Sequence, residues 1–463
     1  MQSGRLAEVS LTARHRTALV FLVVVLGVAS LTFQYLFPVD LIRFGVVGLI
    51  ACVTGLLLFA MPKYGLMLAV FYIYTGMSHY FQFHVAYPIV VLVAAAVALN
   101  VLRGDKIELR SAGFNWAVAL FLMLILQSML YASDASNSVF ELSKVVKSLV
   151  MVYLVVQLIQ TPRDLHHYAL VIYFGSLGSV FLGLLNLKLG WVEDQSLLPG
   201  SGGIRFAGTH GNPNAYAIYL ATVVPIGVYA IRKFRRWYSR TLLVLGTIVI
   251  IVAIFMTFSR AAIFPLALIV VAILVRDLRS KFIFALILAA VMTTWALTPI
   301  TYWHRLTTLS DIVAGQSTDW SLFLRLKSAQ VAWELFLAHP FTGVGFGNFI
   351  LASGPYFFHR MHVHNAYLQI LVGLGIFGFI AYLATFGSSV AHFVTAMRTS
   401  WDEQHEWMRH LAFYLMVAFL STLVGLFFGP TAFEYVTWLP AAGGLAAGRI
   451  AIKFRNEQKI GET

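Results

Sequence analysis

The sequence predicts an all-α polytopic membrane protein with about 12 to 14 transmembrane helices and one long polar loop. Hydrophobic residues make up 60% of the 463 residues and charged residues 11%, whereas a soluble domain has about 25% charged residues. The mean hydropathy is +0.82. Cys52 is the single cysteine, which excludes an intrachain disulfide and a zinc or redox site built on several cysteines.

The spans are predicted from apolar runs of the length that crosses the hydrocarbon core. No small-residue cleavage site follows the first run, so we interpret it as a retained span rather than a signal peptide. The runs lie at 17–35, 43–61, 64–82, 86–102, 113–132, 143–160, 167–188, 215–231, 241–258, 261–275, 282–300, 366–392, 411–429 and 431–448.

The orientation follows from short loops rich in lysine and arginine, which alternate along the chain and are expected in the cytoplasm. They account for most of the net charge of +13, so this charge does not indicate a nucleic-acid partner. Both termini are then cytoplasmic. The predicted organisation is a cytoplasmic N-terminus at 1–16, transmembrane helices 1–11 at 17–300, an outer loop at 301–365, transmembrane helices 12–14 at 366–448 and a cytoplasmic tail at 449–463.

The outer loop at 301–365 is the longest stretch without an apolar run. Within it, Thr318-Asp319-Trp320-Ser321 is typical of a helix start, and apolar residues at helical spacing follow over 322–337 with Arg325 and Lys327 among them. This pattern predicts an amphipathic helix at the membrane interface. The glycine-rich stretch at 339–348 follows no strand, which favours a structural turn over a nucleotide-binding loop.

Two arginines lie at outer hydrocarbon boundaries. Arg205 precedes a Gly-, Pro- and Asn-rich turn that contains His210 and Asn212, and Arg260 stands between two apolar runs with almost no loop. An arginine so near hydrocarbon is costly unless it faces a cavity or an anion, and its planar guanidinium suits phosphate. The alternative is an arginine that extends to the lipid phosphates. The residues alone leave both interpretations open.

A histidine group ends the outer loop, where a polar segment runs directly into an apolar helix. It comprises His359, His362 and His364, and Asn365 follows it. A neutral imidazole can accept a proton from a hydroxyl. A metal site and a group without chemistry are the alternatives, although no Asp or Glu lies nearby in the sequence to complete a metal site.

These segments together resemble the O-antigen ligase and O-antigen polymerase superfamily of bacterial membrane glycosyltransferases. The matching pieces span roughly residues 200–380. They are Arg205-Phe206 before Asn212-Pro213-Asn214-Ala215, Ser259-Arg260, Arg325, His339-Pro340 with Gly343-Val344-Gly345, and His364-Asn365 with Leu368, Leu371, Gly375 and Gly378.

The resemblance implies a GT-C-type, inverting and metal-independent enzyme of the bacterial inner membrane that uses no cofactor. It transfers a glycan from undecaprenyl diphosphate to an acceptor hydroxyl, such as that of lipid A core, at a periplasmic active site in the outer loop. The family's catalytic histidine corresponds to His364, and its diphosphate-binding arginines to Arg205, Arg260 and Arg325. We add Asn365, His362, His210 and Asn212 as supporting residues.

Three alternatives stay open at this point. The chain could be an O-antigen or exopolysaccharide polymerase, or a protein O-oligosaccharyl ligase, of the same superfamily. A membrane transporter is the alternative from another class. Transporters often show internal repeats and helices broken at the midplane of the bilayer. Here the polar residues are expected at the outer rim, and the two halves of the sequence show no similarity.

Overall fold

The computed structural model describes residues 55–78, 86–105, 111–190, 205–276, 320–356, 362–429 and 432–461, and no strand occurs within these ranges. The helices are α1 Pro62–Thr75, α2 Ala86–Leu102, α3 Ala112–Ser128, α4 Ala135–Leu158, α5 Pro162–Leu189, α6 Pro213–Lys233, α7 Trp237–Met256, α8 Ile263–Arg276, α9 Trp320–Ala338, α10 Phe349–Ala352, α11 Ala366–Arg398, α12 Trp407–Gly425 and α13 Tyr435–Gly461. The predicted spans at 17–35 and 282–300, and His359, lie outside the described residues.

The all-α polytopic membrane fold predicted from the sequence is confirmed. Five of the described helices, α5, α6, α7, α11 and α12, are long and apolar enough to cross a bilayer. Helix boundaries differ from the predicted spans mainly where polar residues continue a helix beyond the hydrocarbon. Helix α13 continues to Gly461, through most of the predicted tail at 449–463, where Lys453 and Glu457 form an i,i+4 pair at 3.9 Å.

The described residues form two compact units. The first contains residues 55–69 and 86–105, and the second contains the remaining described residues. Within the first unit, α1 and α2 approach closely at Gly65, where a Cβ atom would lie 2.6 Å from a methyl group of Val93. Even one methyl group at Gly65 would therefore force the two helices apart.

Helix α6 is the centre of the second unit. Every residue from Tyr216 to Ile231 is buried, because α5, α7, α8 and α12 surround this helix. Helix α11 organises a second group, in which it packs against α3, α12 and α13, and α4 lies against α13. Helix α12 contacts both α6 and α11, so it joins the two groups.

The two ends of this bundle differ in chemistry. At one end, which we call the site end, lie the starts of α6, α8 and α11 and the ends of α7 and α12. Backbone contacts such as Phe206 N to Met256 O (3.0 Å) and Ala366 N to Leu426 O (2.8 Å) hold them together. At the opposite end, the far end, the last turn of α6 meets the first turns of α12, and Arg232 donates to the hydroxyl of Tyr414 at 3.1 Å.

Candidate active site

The Arg205 side chain binds the end of α7. Arg205 is 9% exposed. Its Nε donates to the carbonyl oxygen of Thr257 at 2.8 Å, and its Nη2 donates to Oδ1 of Asn214 at 3.0 Å. A helix leaves its last carbonyl groups without partners inside the helix, and Arg205 supplies a donor just beyond the end of α7. Its guanidinium therefore fixes the turn that leads from α7 to α8.

The two asparagines of the Asn-Pro-Asn turn have different roles. Asn212 caps α6, because its Oδ1 accepts from the backbone N–H of Asn214 (2.9 Å) and of Ala215 (3.2 Å). The Oδ1 of Asn214 accepts from Arg205 and also from the hydroxyl of Ser259 at 2.9 Å. Asn214, which was not predicted as a site residue, thus connects the Arg205 segment to the residue that precedes Arg260.

Arg260 follows a tight turn. Phe258 has a φ of +50°, which is uncommon for a bulky residue, and the Ser259 N–H donates to the hydroxyl oxygen of Thr257 at 3.1 Å. A 3₁₀ turn then begins at Arg260 and leads into α8. Arg260 is half-buried. Arg205 therefore contacts the turn that precedes Arg260. The shared diphosphate site that the resemblance implies for the two arginines stays a prediction.

The His210 ring packs against two tyrosine rings of α6. Its ring stacks on Tyr219 with centroids 4.4 Å apart and lies 5.1 Å from Tyr216. Its Nδ1 lies 3.2 Å from the hydroxyl of Thr209. These contacts give His210 a packing role at the start of α6.

His364 stands at the start of α11 in the left-handed conformation, with a φ of +53°. Asn365 caps the helix, because its Oδ1 accepts from the N–H groups of Tyr367 (3.0 Å) and Leu368 (3.1 Å). Burial, together with the neighbouring charges of Arg325 and His362, lowers the pKa of His364 to about 4. The imidazole is therefore neutral at pH 7 and has an unprotonated nitrogen.

Helix α9 brings Arg325 to this histidine. The hydroxyl of Ser328 donates to the carbonyl oxygen of His362 at 3.0 Å, and the buried residues Val331 and Ala332 pack with Val363 in one apolar cluster. The predicted helix is thus present. Its apolar residues lie on both faces rather than on one, since the opposite side exposes Phe323, Leu326, Trp333 and Leu337. An exposed apolar face suits a helix in contact with lipid.

The Arg260 and His364 groups converge on the end of α12. On one side, Phe264, four residues after Arg260, stacks on Phe428 with ring centroids 4.6 Å apart. On the other, Tyr367 contacts Phe427 with centroids 4.4 Å apart. Both predicted parts of the site, the arginine turn and the histidine cap, are therefore supported by the same segment at 426–428.

The glycine-rich stretch at 339–348 fills a break in α11. Gly375 has a φ of +68° and interrupts the helix, which frees backbone groups that need partners. The N–H of Val344 donates to the carbonyl oxygen of Val372 (2.9 Å), and the N–H of Gly345 donates to that of Gly373 (3.1 Å). In the other direction, the N–H of Ile376 donates to the carbonyl oxygen of Pro340 (2.8 Å). These backbone contacts are those of a structural turn, which the sequence favoured over a nucleotide-binding loop.

Residues from the α3–α4 connection and the first turn of α4 hold the same stretch in place, and no sequence pattern indicated them. Asn348 is buried; its Oδ1 accepts from the N–H of Asp134 at 2.7 Å and its Nδ2 donates to Ser138 Oγ at 2.9 Å. The hydroxyl of Tyr131 donates to the Thr342 carbonyl at 2.6 Å. More than 200 residues separate these partners in the chain, so no local pattern could have revealed them.

Replacing Gly343 with alanine should destabilise the protein and reduce its activity. Gly343 has a φ of +68°, and a Cβ atom there would lie 2.5 Å from the Gly373 carbonyl. The backbone conformation alone would cost about 1–3 kcal/mol. Gly354→Ala is the matched control, because a Cβ atom there meets nothing within 4 Å. Thermal melting of both purified variants tests this, and equal melting temperatures would contradict it.

A helical membrane protein with an arginine turn and a histidine cap at one end of its bundle is the class that this fold and site define. Residues 245–383 match the family model described as O-Antigen ligase. The match confirms, over this part of the chain, the resemblance to the O-antigen ligase and polymerase superfamily that the sequence predicted. Arg260, Arg325 and His364 lie inside the matched residues, whereas Arg205, His210 and Asn212 lie before them. No curated protein matches the chain.

Proposed function

We propose that the chain is an O-antigen ligase-type glycosyltransferase of the bacterial inner membrane. It transfers a glycan from undecaprenyl diphosphate to an acceptor hydroxyl at the periplasmic face. The acceptor in this proposal is lipid A core. The site end is then periplasmic and the far end cytoplasmic. The family match over residues 245–383 supports the reaction class.

The observation that carries this proposal is the environment of His364. It is neutral, half-buried and held by the cap of α11, and Arg325 lies close enough to lower its pKa. In the proposed step, His364 accepts the proton of the acceptor hydroxyl while the oxygen attacks the anomeric carbon. The bond from that carbon to the diphosphate oxygen breaks, and one displacement inverts the configuration.

Arginines stabilise the leaving diphosphate in this proposal. Guanidinium groups at the position where negative charge develops lower the barrier, because their orientation is fixed before the reaction. Arg260 and Arg325 are both half-buried and lie in the two groups that converge at 426–428. Arg205 remains a candidate ligand of the diphosphate, and its bonds to Thr257 and Asn214 give it the further task of positioning the Arg260 turn.

Donor binding should also strengthen the base. The positive charge of Arg325 is one of the causes that lower the pKa of His364. A diphosphate bound beside Arg325 would offset this charge and raise the pKa of His364, although burial, the largest cause of its lowering, would persist. The histidine would then be most basic when the donor is in place.

Transfer should continue in excess EDTA. The arginines supply the positive charge that a divalent ion provides in other transferases, and no group of three His, Cys, Asp or Glu residues able to hold a metal occurs in the described part of the chain. The measurement is turnover by the purified enzyme with donor and acceptor before and after chelation. Loss of activity that one specific metal restores would contradict the proposal and make His364 a candidate ligand.

A deletion strain tests the choice of reaction. A ligase predicts loss of glycan from the surface while lipid-linked polymer accumulates, and complementation by the wild-type chain restores attachment. Loss of chain length with retained attachment would instead indicate a polymerase. The break in α11 does not favour a transporter, because the turn at 339–348 binds the freed carbonyls of Val372 and Gly373 and the N–H of Ile376, whereas the broken helices of transporters line a substrate site.

A further inference from the structure

A second polar cavity lies at the far end of the bundle, away from the proposed active site. Its volume is about 570 Å³, and its wall comes from the last turn of α6, the linker to α7, the first turn of α7 and the residues around the start of α12. The proposed transfer reaction makes no use of this cavity.

The wall of this cavity has an excess of positive charge. Arg232, Lys233, Arg235 and Arg240 line it together with two acidic residues, Glu403 and Glu406, which leaves an excess of two positive charges. The three arginines are exposed, so their guanidinium groups are accessible to a ligand. Guanidinium groups bind phosphate oxygens with two parallel hydrogen bonds, which an ammonium group cannot do.

Aromatic residues fix part of this wall. The Nζ of Lys233 lies 4.0 Å from the centroid of the Trp407 ring, and the indole N–H of Trp407 donates to the carbonyl of Gln404 at 2.9 Å. Arg232 donates to the hydroxyl of Tyr414 at 3.1 Å. Such contacts hold two of the cationic side chains in place before any ligand binds, which reduces the entropy lost on binding.

The start of α7 indicates that the cavity opens at the depth of the lipid head groups. Helix α7 supplies Arg240 to the wall and begins with Trp237 and Tyr238, which are 78% and 46% exposed. Exposed tryptophan and tyrosine at the start of a membrane-spanning helix are typical of the head-group region. A ligand that reaches this cavity from the membrane would therefore present its phosphate directly to Arg235 and Arg240.

We propose that the far-end cavity binds the phosphate of an anionic phospholipid head group. Basic pockets between transmembrane helices are suited to such head groups, and each nearby Lys or Arg contributes about 1 kcal/mol. A soluble phosphate has the same chemistry, but the exposed aromatic residues at the start of α7 favour a lipid. The site is separate from the proposed transfer chemistry.

Native mass spectrometry of the purified full chain, titrated with phosphatidylglycerol or phosphatidylcholine, tests this proposal. The wild type should retain phosphatidylglycerol in preference to phosphatidylcholine. The Arg235→Gln/Arg240→Gln variant should bind phosphatidylglycerol about 30-fold more weakly, since each lost charge of about 1 kcal/mol corresponds to about fivefold. Melting temperatures show whether each variant remains folded.

The matched control is Arg236→Gln/Arg455→Gln, which removes two positive charges from residues that do not line the cavity. Arg236 donates to the hydroxyl of Tyr238 and lies beside Arg235 in the chain, so it reports general surface attraction. This control should bind phosphatidylglycerol nearly as the wild type does. Equal weakening in both double variants would overturn the proposal, as would binding of inorganic phosphate without retention of the lipid.

Discussion

Replacing His364 with alanine is expected to lower the rate of glycan transfer by about 10²- to 10⁴-fold, the scale associated with the loss of a general base. The variant should still fold, because the start of α11 is held by the cap of Asn365 and by the backbone N–H of Ala366, which donates to Leu426. The measurement is transfer from a lipid-linked donor by variant and wild type purified at equal yield.

The matched control is His362→Ala. His362 is exposed, and its ring centroid lies 6.3 Å from that of His364, so this variant keeps the proposed base and loses only a neighbour. Transfer by His362→Ala should stay close to the wild-type rate. Near-normal transfer by a well-folded His364→Ala variant would remove His364 from the role of base.

The pH dependence adds a readout that a merely structural histidine would not give. The pKa of His364 in the protein without donor is about 4, so kcat/KM should stay level from pH 7 downwards and fall only as the pH approaches 4. The profile of kcat reports the donor-bound enzyme, and its acid limb should lie at higher pH because the diphosphate offsets the charge of Arg325. Identical limbs in both profiles would count against the proposed coupling.

The sequence predicted those parts of the site that depend on local patterns. The change from polar loop to apolar helix located His364 and Asn365, because helix caps have a short sequence signature. The helix-start residues at 318–321 and the helical spacing of apolar residues over 322–337 predicted α9 in the same way. Arg205 and Arg260 were found because a charge next to hydrocarbon is unusual in itself.

Long-range contacts could not be predicted in this way. Gly375 lies in an apolar run that fits a continuous helix, and its left-handed conformation is supported by residues 340–345, which lie 30 to 35 positions earlier. Asn348 has no local feature that distinguishes it from a turn residue, since its partner Ser138 is 210 positions away. Arg205 shows the same limit of local patterns. Its residue type suggested an anion site, but its contacts with Thr257 and Asn214 depend on the fold and could not be predicted.

The two arginines of the turn should respond differently to substitution. Arg205→Lys is expected to lower both stability and activity, because a lysine cannot reproduce the bonds from two guanidinium nitrogens to Thr257 and Asn214. The buried Thr257 carbonyl would lose this donor, at a cost of roughly 1–3 kcal/mol, whereas Oδ1 of Asn214 keeps the hydrogen bond from Ser259. The measurement is the melting temperature of the purified variant beside its transfer rate.

Arg260→Ala should instead retain the melting temperature and lose transfer by about 10²- to 10³-fold, the cost of removing one donor that stabilises developing negative charge. Arg260→Lys should fall between this variant and the wild type, since a lysine restores the charge but not the paired hydrogen bonds. Since Arg260 precedes the first turn of α8 and is half-buried, its replacement leaves the Arg205 bonds to Thr257 and Asn214 intact. Full activity of Arg260→Lys would show that Arg260 is an interfacial anchor. An unchanged melting temperature of Arg205→Lys would contradict the positioning role of Arg205.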